Sequence, residues 1–502
     1  MSHLQDALWF LNVRAVLMCL AVLLVFRWFF GRPKNLPPGP WGFPLIGSIP
    51  AIVREMRRGV LPHDLFMSYA AKYGPVFQVR VLNKTVVVLN DYTSVKEAFQ
   101  HLQLNDRPKM LFTELFRSEG VASASGEKWT DLRRFSLTVL RSFGVGKTSF
   151  EEKIGEEAEA LMKEMSAFNE KPFNPKSLLS NAVSNVICSV IFGKRYDYNE
   201  KDFQKLLSLI GENFQLLGVG GVLNFIPVLR HLPFIHIDKL ESNVAELRNF
   251  FLGLIDKHRA AFDADNLNDL IDEFLNAIKI NEAKDKAGAK QNHLSEESFI
   301  GTVANLFTAG SETTATTLQW ALLYMVVYPK IQQRVQAEID AVVGRNRLPR
   351  MADKSQLNFT RAVIWEVQRL AIVAPLGVAH AAASDTQFRG FSIPKGAFLL
   401  SNLWAVARDP NVWQEPDQFK PERFLNKKGE AVQADELIPF SVGRRSCIGE
   451  HLAKMELVIF FSYFMHQFTF EQPDDSPPLS LKGRVGLTYA PEEFEISAIK
   501  RE

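Results

Sequence analysis

The sequence has few cysteines and almost no charge imbalance, and each scarcity excludes a class of protein. Only Cys19, Cys188 and Cys447 occur among the 502 residues, which is too few for a disulfide framework and suits a reducing compartment. The 58 lysines and arginines nearly balance the 56 aspartates and glutamates, so nothing favours a nucleic-acid partner. No P-loop and no Gly-x-Gly-x-x-Gly after a predicted strand is present, so the sequence contains neither of these nucleotide-binding motifs.

Long apolar runs are scarce as well, and the one long enough to cross a membrane lies at the start of the chain. Residues 7–30 would form a helix of ~36 Å, against a bilayer core of ~30 Å. Arg14 and Arg27 interrupt this run, and its charge-free part, Ala15–Phe26, also has the length of a signal-peptide core. Because no small-residue cleavage site follows, we predict a retained transmembrane anchor with the body of the chain in the cytosol. Residues 31–47 are basic and proline-rich, which is typical of a stiff hinge.

The remaining residues, 48–502, are predicted to form the main body of the protein, which is mainly α-helical with a small β region. Two short alternating segments, Phe77–Val81 and Thr85–Leu89, indicate strands near its beginning. The longest helix is expected to begin after the N-cap Ser295 and to end before Pro329. Its residues are apolar nearly all round, which predicts a buried helix.

Cys447 lies in a glycine- and arginine-rich loop, whereas the other two cysteines have apolar surroundings. Gly443 and Gly449 lack Cβ atoms, so the backbone there could turn tightly and approach a flat macrocycle. Arg445 could bind a carboxylate through two hydrogen bonds, and the Cys447 thiolate is a soft metal ligand. The alternative is an inert buried cysteine at the start of a helix.

The complete pattern around Cys447 favours the first interpretation. Phe440, Gly443, Arg445, Cys447 and Gly449 form F-x-x-G-x-R-x-C-x-G, in which the chain resembles the cytochrome P-450 family. A chance match in a chain of this length is on the order of one in ten thousand. The resemblance implies the cytochrome P-450 fold, with one haem-centred catalytic body behind an N-terminal transmembrane helix. It also implies haem b as the cofactor, with the Cys447 thiolate as the axial ligand of the iron and the other four residues beside the haem.

Further motifs extend the resemblance over nearly the whole chain. Trp129 and Arg133 match W-x-x-x-R, which implies that both bind the haem carboxylates. Arg107 and His380 occupy positions that resemble further carboxylate contacts. His380 follows Ala379, where animal microsomal members usually have proline, and this departure puts the local backbone geometry in doubt.

Glu366 and Arg369 match the family pattern E-x-x-R, and Arg423 lies in the following Pro-Glu-Arg-Phe segment. The resemblance implies a cluster of these three residues that holds the haem-binding side together. The E-x-x-R pattern alone has little weight because Glu55–Arg58 also matches it, and a solvated helix pair is the alternative.

The segment Ala309–Thr314 resembles the family pattern A/G-G-x-D/E-T. This implies that Thr313 lies beside bound O2 and that Glu312 is the adjacent acid, feeding protons through water. Successive helical residues point about 100° apart, so the two cannot share one contact. Gly310 costs ~1 kcal/mol relative to alanine inside a helix, and we expect a closely approaching ligand to explain it. The alternative is a threonine-rich stretch that merely packs.

The activity implied by the resemblance is a monooxygenase that hydroxylates or epoxidises a lipophilic molecule with O2. Electrons from NADPH would come through NADPH–cytochrome P-450 reductase, with cytochrome b5 as a further donor, at the endoplasmic reticulum membrane. A basic surface of Arg134, Arg444 and Lys454 could dock the acidic face of the reductase. Two alternatives are a haem-thiolate isomerase or dehydratase that acts on lipid peroxides without reductase, and a membrane-anchored lipid-binding protein with vestigial haem.

The pocket positions implied by the resemblance are almost entirely apolar. A fatty acid, a steroid or vitamin-like lipid, or a xenobiotic would suit such walls, and a fatty acid is the first expectation. An apolar loop, Phe225–Phe234, could dip into the membrane near a substrate entrance. The expected pocket residues are Phe112, Phe116, Asn305, Phe307, Ala309, Ala374, Leu376, Val378 and Leu487.

Overall fold

A computed structural model of the chain describes residues 15, 16, 18, 34–146, 148–219, 223, 224, 237–286, 293–474 and 476–502. The predicted anchor, residues 7–30, lies outside the described residues except for three positions, and the apolar loop 225–234 lies wholly outside them. Among the described residues, no helix combines the length and the apolar character needed to cross a membrane. Contacts divide the chain into two compact units, Met1–Asn105 with Val378–Asn402 and Asp106–Gly377 with Leu403–Glu502.

The smaller unit contains a four-stranded sheet. Its elements are helices α1 (Ile49–Arg57), α2 (Pro62–Tyr73) and α3 (Tyr92–Gln100), and strands β1 (Val76–Val81), β2 (Lys84–Leu89), β3 (His380–Ala381), β4 (Thr386–Phe388), β5 (Phe391–Ile393) and β6 (Phe398–Ser401). The sheet order is β1-β2-β6-β3, while β4 and β5 form a separate hairpin. Strand β2 pairs antiparallel with β1 and parallel with β6. The two strands predicted from alternation are confirmed, each one residue longer than expected.

The larger unit is mainly helical. Its helices are α4 (Leu111–Phe116), α5 (Gly126–Ser142), α6 (Thr148–Ala167), α7 (Lys176–Ile191), α8 (Lys201–Val219), α9 (Asp238–Ala260), α10 (Leu270–Lys286), α11 (Glu296–Val327), α12 (Pro329–Val343), α13 (Asn358–Leu370), α14 (Leu403–Val406) and α15 (Glu450–Gln467). Its strands are β7 (Phe468–Glu471), β8 (Gly483–Val485), β9 (Tyr489–Pro491) and β10 (Ser497–Lys500), paired as β7–β10 and β8–β9. The predicted class, mainly α with a small β region, is confirmed.

Helix α11 is the central element of the larger unit. Its N-terminus is held by a capping box, in which the Ser295 hydroxyl accepts from the Ser298 N–H and the Ser298 hydroxyl accepts from the Ser295 N–H. The 32 residues of the helix form a rod of ~48 Å. The helix ends at Val327 because Pro329 begins α12, as the sequence predicted. Helices α7, α9, α13 and α15 pack against it, which explains why apolar residues surround it on all sides.

Candidate functional site

The Cys447 loop is a tight turn closed by backbone hydrogen bonds. The Cys447 N–H donates to the Phe440 carbonyl across 3.0 Å, and the Ser446 N–H donates to the Gly443 carbonyl across 3.2 Å. Gly443 has a φ of 79°, which L side chains rarely adopt, so this position requires glycine. Helix α15 begins at Glu450, and the sulfur therefore lies just before the N-terminus of a helix.

The Cys447 side chain is surrounded by protein and yet remains accessible. Burial raises the pKa of its thiol, while a hydrogen bond from the Gly449 N–H and the charge of Arg133 act in the opposite direction. The residue nevertheless has substantial accessible surface, so a ligand could reach its sulfur. A bound metal ion would hold such a thiol in its ionised form, because the thiolate is the species that ligates metals. The other cysteine that the structure describes, Cys188, is fully buried in α7.

Three arginines, Arg107, Arg133 and Arg445, lie beside this loop, and we call them the arginine cluster. Burial and the positive charge of neighbouring arginines lower the pKa of Arg107 to about 10 and that of Arg445 to about 9. Burial likewise lowers the pKa of Arg133, whose Nη2 donates to the Ser446 hydroxyl across 3.4 Å. Positive groups that repel one another inside a protein favour an anionic ligand, since its charge would relieve the repulsion.

The Trp129 ring packs against guanidinium groups of the arginine cluster. The Arg445 guanidinium carbon is 4.0 Å from the centre of the Trp129 ring, and those of Arg444 and Arg133 are 5.7 and 5.9 Å away. Trp129 is 7% exposed and lies one helical turn before Arg133 on α5, as the i,i+4 spacing predicted. The indole face thus stabilises the guanidinium of Arg445 and fixes its position.

Helix α11 has an accessible patch midway along its buried length. Ala309 is exposed, and Glu312 and Thr313 are partly exposed. The Thr313 hydroxyl donates to the Ala309 carbonyl across 2.9 Å. Burial raises the pKa of Glu312, against the opposing effects of the Lys176 charge and a hydrogen bond from Thr316. The carboxyl of Glu312 therefore holds a proton at higher pH than an exposed glutamate does.

Gly310, within the same stretch, is explained by helix packing. A Cβ at this position would lie 3.2 Å from Cγ1 of Ile187 on α7, which is closer than an ordinary contact. The close approach of α7 to α11 is thus one reason for the glycine, and the expected ligand contact stays a prediction.

Glu366, Arg369 and Arg423 meet as the sequence predicted. Arg369 donates Nε and Nη2 to the two carboxylate oxygens of Glu366, at 2.7 and 2.9 Å, and Arg423 Nε donates to one of them at 3.0 Å. Arg369 Nη1 also donates to the carbonyls of Ala407 and Pro416. The Glu366 and Arg369 side chains are fully buried, which excludes a solvated helix pair.

His380 belongs to the smaller unit, in strand β3. It is buried, and its ring stacks on that of Phe99 with 3.8 Å between centroids. Its Nδ1 lies 3.1 Å from the carbonyl oxygen of Leu104. All of these contacts lie within the smaller unit, and the expected contact of His380 with haem stays a prediction.

The expected pocket residues occupy different environments. Phe307 is fully buried and packs against Phe192 and Phe251, with ring centroids 5.3 and 5.9 Å away. Phe116 is almost fully buried and stacks with Phe112 at 5.8 Å between centroids. The remaining positions are partly or fully accessible: Asn305, Ala309, Ala374, Leu376, Val378 in the smaller unit, and Leu487.

Two features of the structure were not predicted from the sequence. The carbonyls of Ala122 and Ala124 accept hydrogen bonds from the arginine cluster, and backbone groups give no signal in residue type. Glu456, 2% exposed on α15, accepts a hydrogen bond from Thr314, and burial raises its pKa well above the usual range. A lone acid inside an apolar helical stretch was a signal that could have found it.

Comparison with known proteins decides the family. A family model described as Cytochrome P-450 matches residues 37–498. The chain belongs to the cytochrome P-450 family. Cytochrome P-450 2J5 of Mus musculus is 40% identical over 94% of this chain and 92% of its own length. Cytochrome P-450 2J2 of Homo sapiens is 39% identical over 99% of both chains, and cytochrome P-450 2U1 of Rattus norvegicus is 39% identical over 97% of this chain and 95% of its own.

This cytochrome P-450 is therefore a monooxygenase, and its cofactor is haem with a cysteine thiolate on the iron. The enzyme consumes O2 and electrons derived from NADPH. The larger unit fits this cofactor because it combines an accessible cysteine in a tight loop with buried cations suited to the haem carboxylates. Residues that could hold the group are Cys447, Arg445, Arg133, Arg107 and Trp129.

Proposed function

We propose that this cytochrome P-450 hydroxylates or epoxidises a lipophilic small molecule at a haem bound through Cys447. The observation that carries the proposal is that Cys447 combines accessible surface with a position between the arginine cluster and α15. When bound, haem supplies the activation of O2 and the transfer of one oxygen atom. The protein contributes binding, orientation and proton delivery, as the following arrangement supports.

The arginine cluster is suited to hold the haem carboxylates. Arg107 and Arg445 would relieve their mutual repulsion by pairing with these anions, while Trp129 keeps the Arg445 guanidinium in place. At the sulfur, the Gly449 N–H donates a hydrogen bond that withdraws electron density from the thiolate. The loop thus orients the Cys447 thiolate and reduces its electron donation to the iron.

Glu312 and Thr313 are suited to deliver protons. Burial raises the pKa of Glu312, so its carboxyl holds a proton more firmly than an exposed glutamate does and is suited to act as a proton donor. The Thr313 hydroxyl donates to Ala309 and can accept a hydrogen bond at the same time. Since the two side chains diverge by about 100°, the proton passes between them through water. This intact acid–alcohol pair favours a monooxygenase that uses O2 over an isomerase that does not.

The substrate is a lipophilic molecule, and a fatty acid is the first candidate. Apolar side chains dominate the accessible pocket positions, which favours burial of a hydrocarbon chain over a charged ligand. A panel of fatty acids, steroids and vitamin-like lipids, turned over with purified reductase, tests this choice. Product formed from a lipid hydroperoxide without reductase would instead support the isomerase or dehydratase activity.

Electron delivery comes from NADPH–cytochrome P-450 reductase at the endoplasmic reticulum membrane, with cytochrome b5 as a further donor. Arg134 and Arg444 are exposed and close in sequence to the arginine cluster and the Cys447 loop, so they offer a basic docking surface. Lys454 is partly exposed and paired with Glu450 at 2.7 Å. Charge reversal at Arg134 should lower reductase-driven turnover and its salt dependence, while leaving the spectrum of the haem unchanged. Unchanged turnover would exclude this docking surface.

Substitution of Cys447 tests the haem assignment directly. The reduced carbon monoxide complex should absorb at about 450 nm, as the family name records, because the ligand is a thiolate. Cys447→Ser should abolish this band. Cys188→Ser should keep it, because the Cys188 side chain on α7 is fully buried in the protein core. Survival of the band in Cys447→Ser would show that another residue ligates the iron.

A further inference from the structure

Three residues spaced four apart on α11 contact a loop that leads into α5. Glu297, Gly301 and Asn305 lie on one face of the helix, because four residues make slightly more than one turn. Residues 117–125, which we call the strap, contact them in turn. Ala309 lies one further turn along the same face, in the accessible patch.

Alternate residues of the strap meet successive turns of the helix. The Ser118 hydroxyl donates to the Glu297 carbonyl. At the next turn the two backbones touch, since a Cβ at Gly120 would lie 2.2 Å from the carbonyl carbon of Gly301. At the third turn the Ala122 N–H donates to Oδ1 of Asn305 across 3.1 Å. Asn305 is thus the side chain of α11 that holds the strap at the end nearest the accessible patch.

The strap also binds the arginine cluster. Arg107 donates Nε to the Ala122 carbonyl at 3.1 Å and its backbone N–H to the Ser125 hydroxyl at 2.8 Å. Arg445 donates Nη2 to the Ala124 carbonyl at 2.7 Å. The Ala122 carbonyl therefore accepts a hydrogen bond from Arg107, while the Ala122 N–H donates one to Asn305. Ala122 thus connects α11 with the arginine cluster.

We propose that Asn305 is a positioning residue for haem binding. Its amide oxygen fixes the strap through Ala122, and the carbonyls of the strap then fix the directions of Arg107 and Arg445. The proposal rests on the proposed function, which assigns these two arginines to the haem carboxylates. Asn305 is also an expected pocket residue, but its amide oxygen already accepts a hydrogen bond from the protein itself.

The acceptor oxygen can be removed at nearly constant volume. Asn305→Leu lacks the acceptor, whereas Asn305→Asp retains one, so the pair separates hydrogen bonding from shape. Haem transfer from each purified holoenzyme to excess apomyoglobin reports haem retention. Because one hydrogen bond contributes ~1 kcal/mol, we expect Asn305→Leu to lose haem on the order of 10-fold faster than the parent. Asn305→Asp should lose haem at nearly the same rate as the parent. Thr308→Val, a partly accessible neighbour on α11, should also match the parent.

Amide hydrogen exchange of residues 117–125 reports whether Asn305 holds the strap, independently of whether Arg107 and Arg445 bind the haem carboxylates. Asn305→Leu should speed exchange there, and Asn305→Asp should not. Parental haem loss in Asn305→Leu would overturn the proposal, whether or not exchange in the strap changes. If Asn305→Leu does not fold, Asn305→Gln displaces the acceptor by one methylene and should still lose haem faster than the parent. Parental haem loss in Arg445→Leu would instead refute the carboxylate assignment, while strap exchange would still show whether Asn305 holds the loop.

Discussion

Removing the charge of Glu366 should destabilise the protein more than any exposed ion pair could. Glu366 accepts from Arg369, Arg423 and the Lys420 N–H, and its side chain is fully buried. Glu366→Gln leaves the buried Arg369 guanidinium without a counter-charge, and breaking a buried pair in this way costs about 3–5 kcal/mol. Arg423 adds to this cost, since its side chain is only 8% exposed.

The matched control is the exposed pair Arg334–Glu422, whose side chains are 51% and 46% exposed and meet at 2.6 Å. Glu422→Gln should cost about 0–1 kcal/mol, because water and salt screen such a pair. Guanidinium unfolding of the holoenzymes, followed by far-ultraviolet circular dichroism, compares the two midpoints. If both variants shift the midpoint equally, burial is not what makes the Glu366 cluster stabilising. Should Glu366→Gln not accumulate as folded protein, Arg423→Lys should show an intermediate loss of about 1–3 kcal/mol.

Two further predictions concern proton transfer and pH. Thr313→Ala should lower product formation on the order of 100-fold and divert electrons to peroxide, measured as peroxide released per NADPH, while an unchanged product yield would exclude the proton-delivery role. His258 is paired with Asp269 at 2.8 Å, and this hydrogen bond raises the pKa of His258 above its ordinary value of 6.5. Its contribution to stability is therefore complete below about pH 6.5 and is lost as the pH rises through the folded-state pKa. His258→Gln should lower the unfolding midpoint at pH 6 and change it little at pH 9; equal losses at both values would contradict an ionic role.

The sequence by itself determined features that depend on neighbouring residues. Ser295 and Pro329 delimit α11 because capping and the missing proline N–H act within one turn. The Cys447 loop was recognisable because Gly443 must adopt a positive φ within a short, dense motif. Alternation of side-chain character revealed β1, where Phe77 and Val79 are buried on one face, while β2 is buried on both faces from Val86 to Leu89. Family membership followed from the same local patterns.

Only the tertiary structure decided which distant segments meet. The Ala124 carbonyl binds Arg445, 321 positions along the chain, and no spacing rule predicts such a pair. The packing partner of Gly310, Ile187, lies on another helix, so no local pattern revealed it. The hydrogen bond from the Ala122 N–H to Asn305, 183 positions along the chain, is likewise a contact that no local pattern predicts. The physical reason is the same in each case: periodicity gives the face of an element, while contacts between faces depend on how whole elements pack.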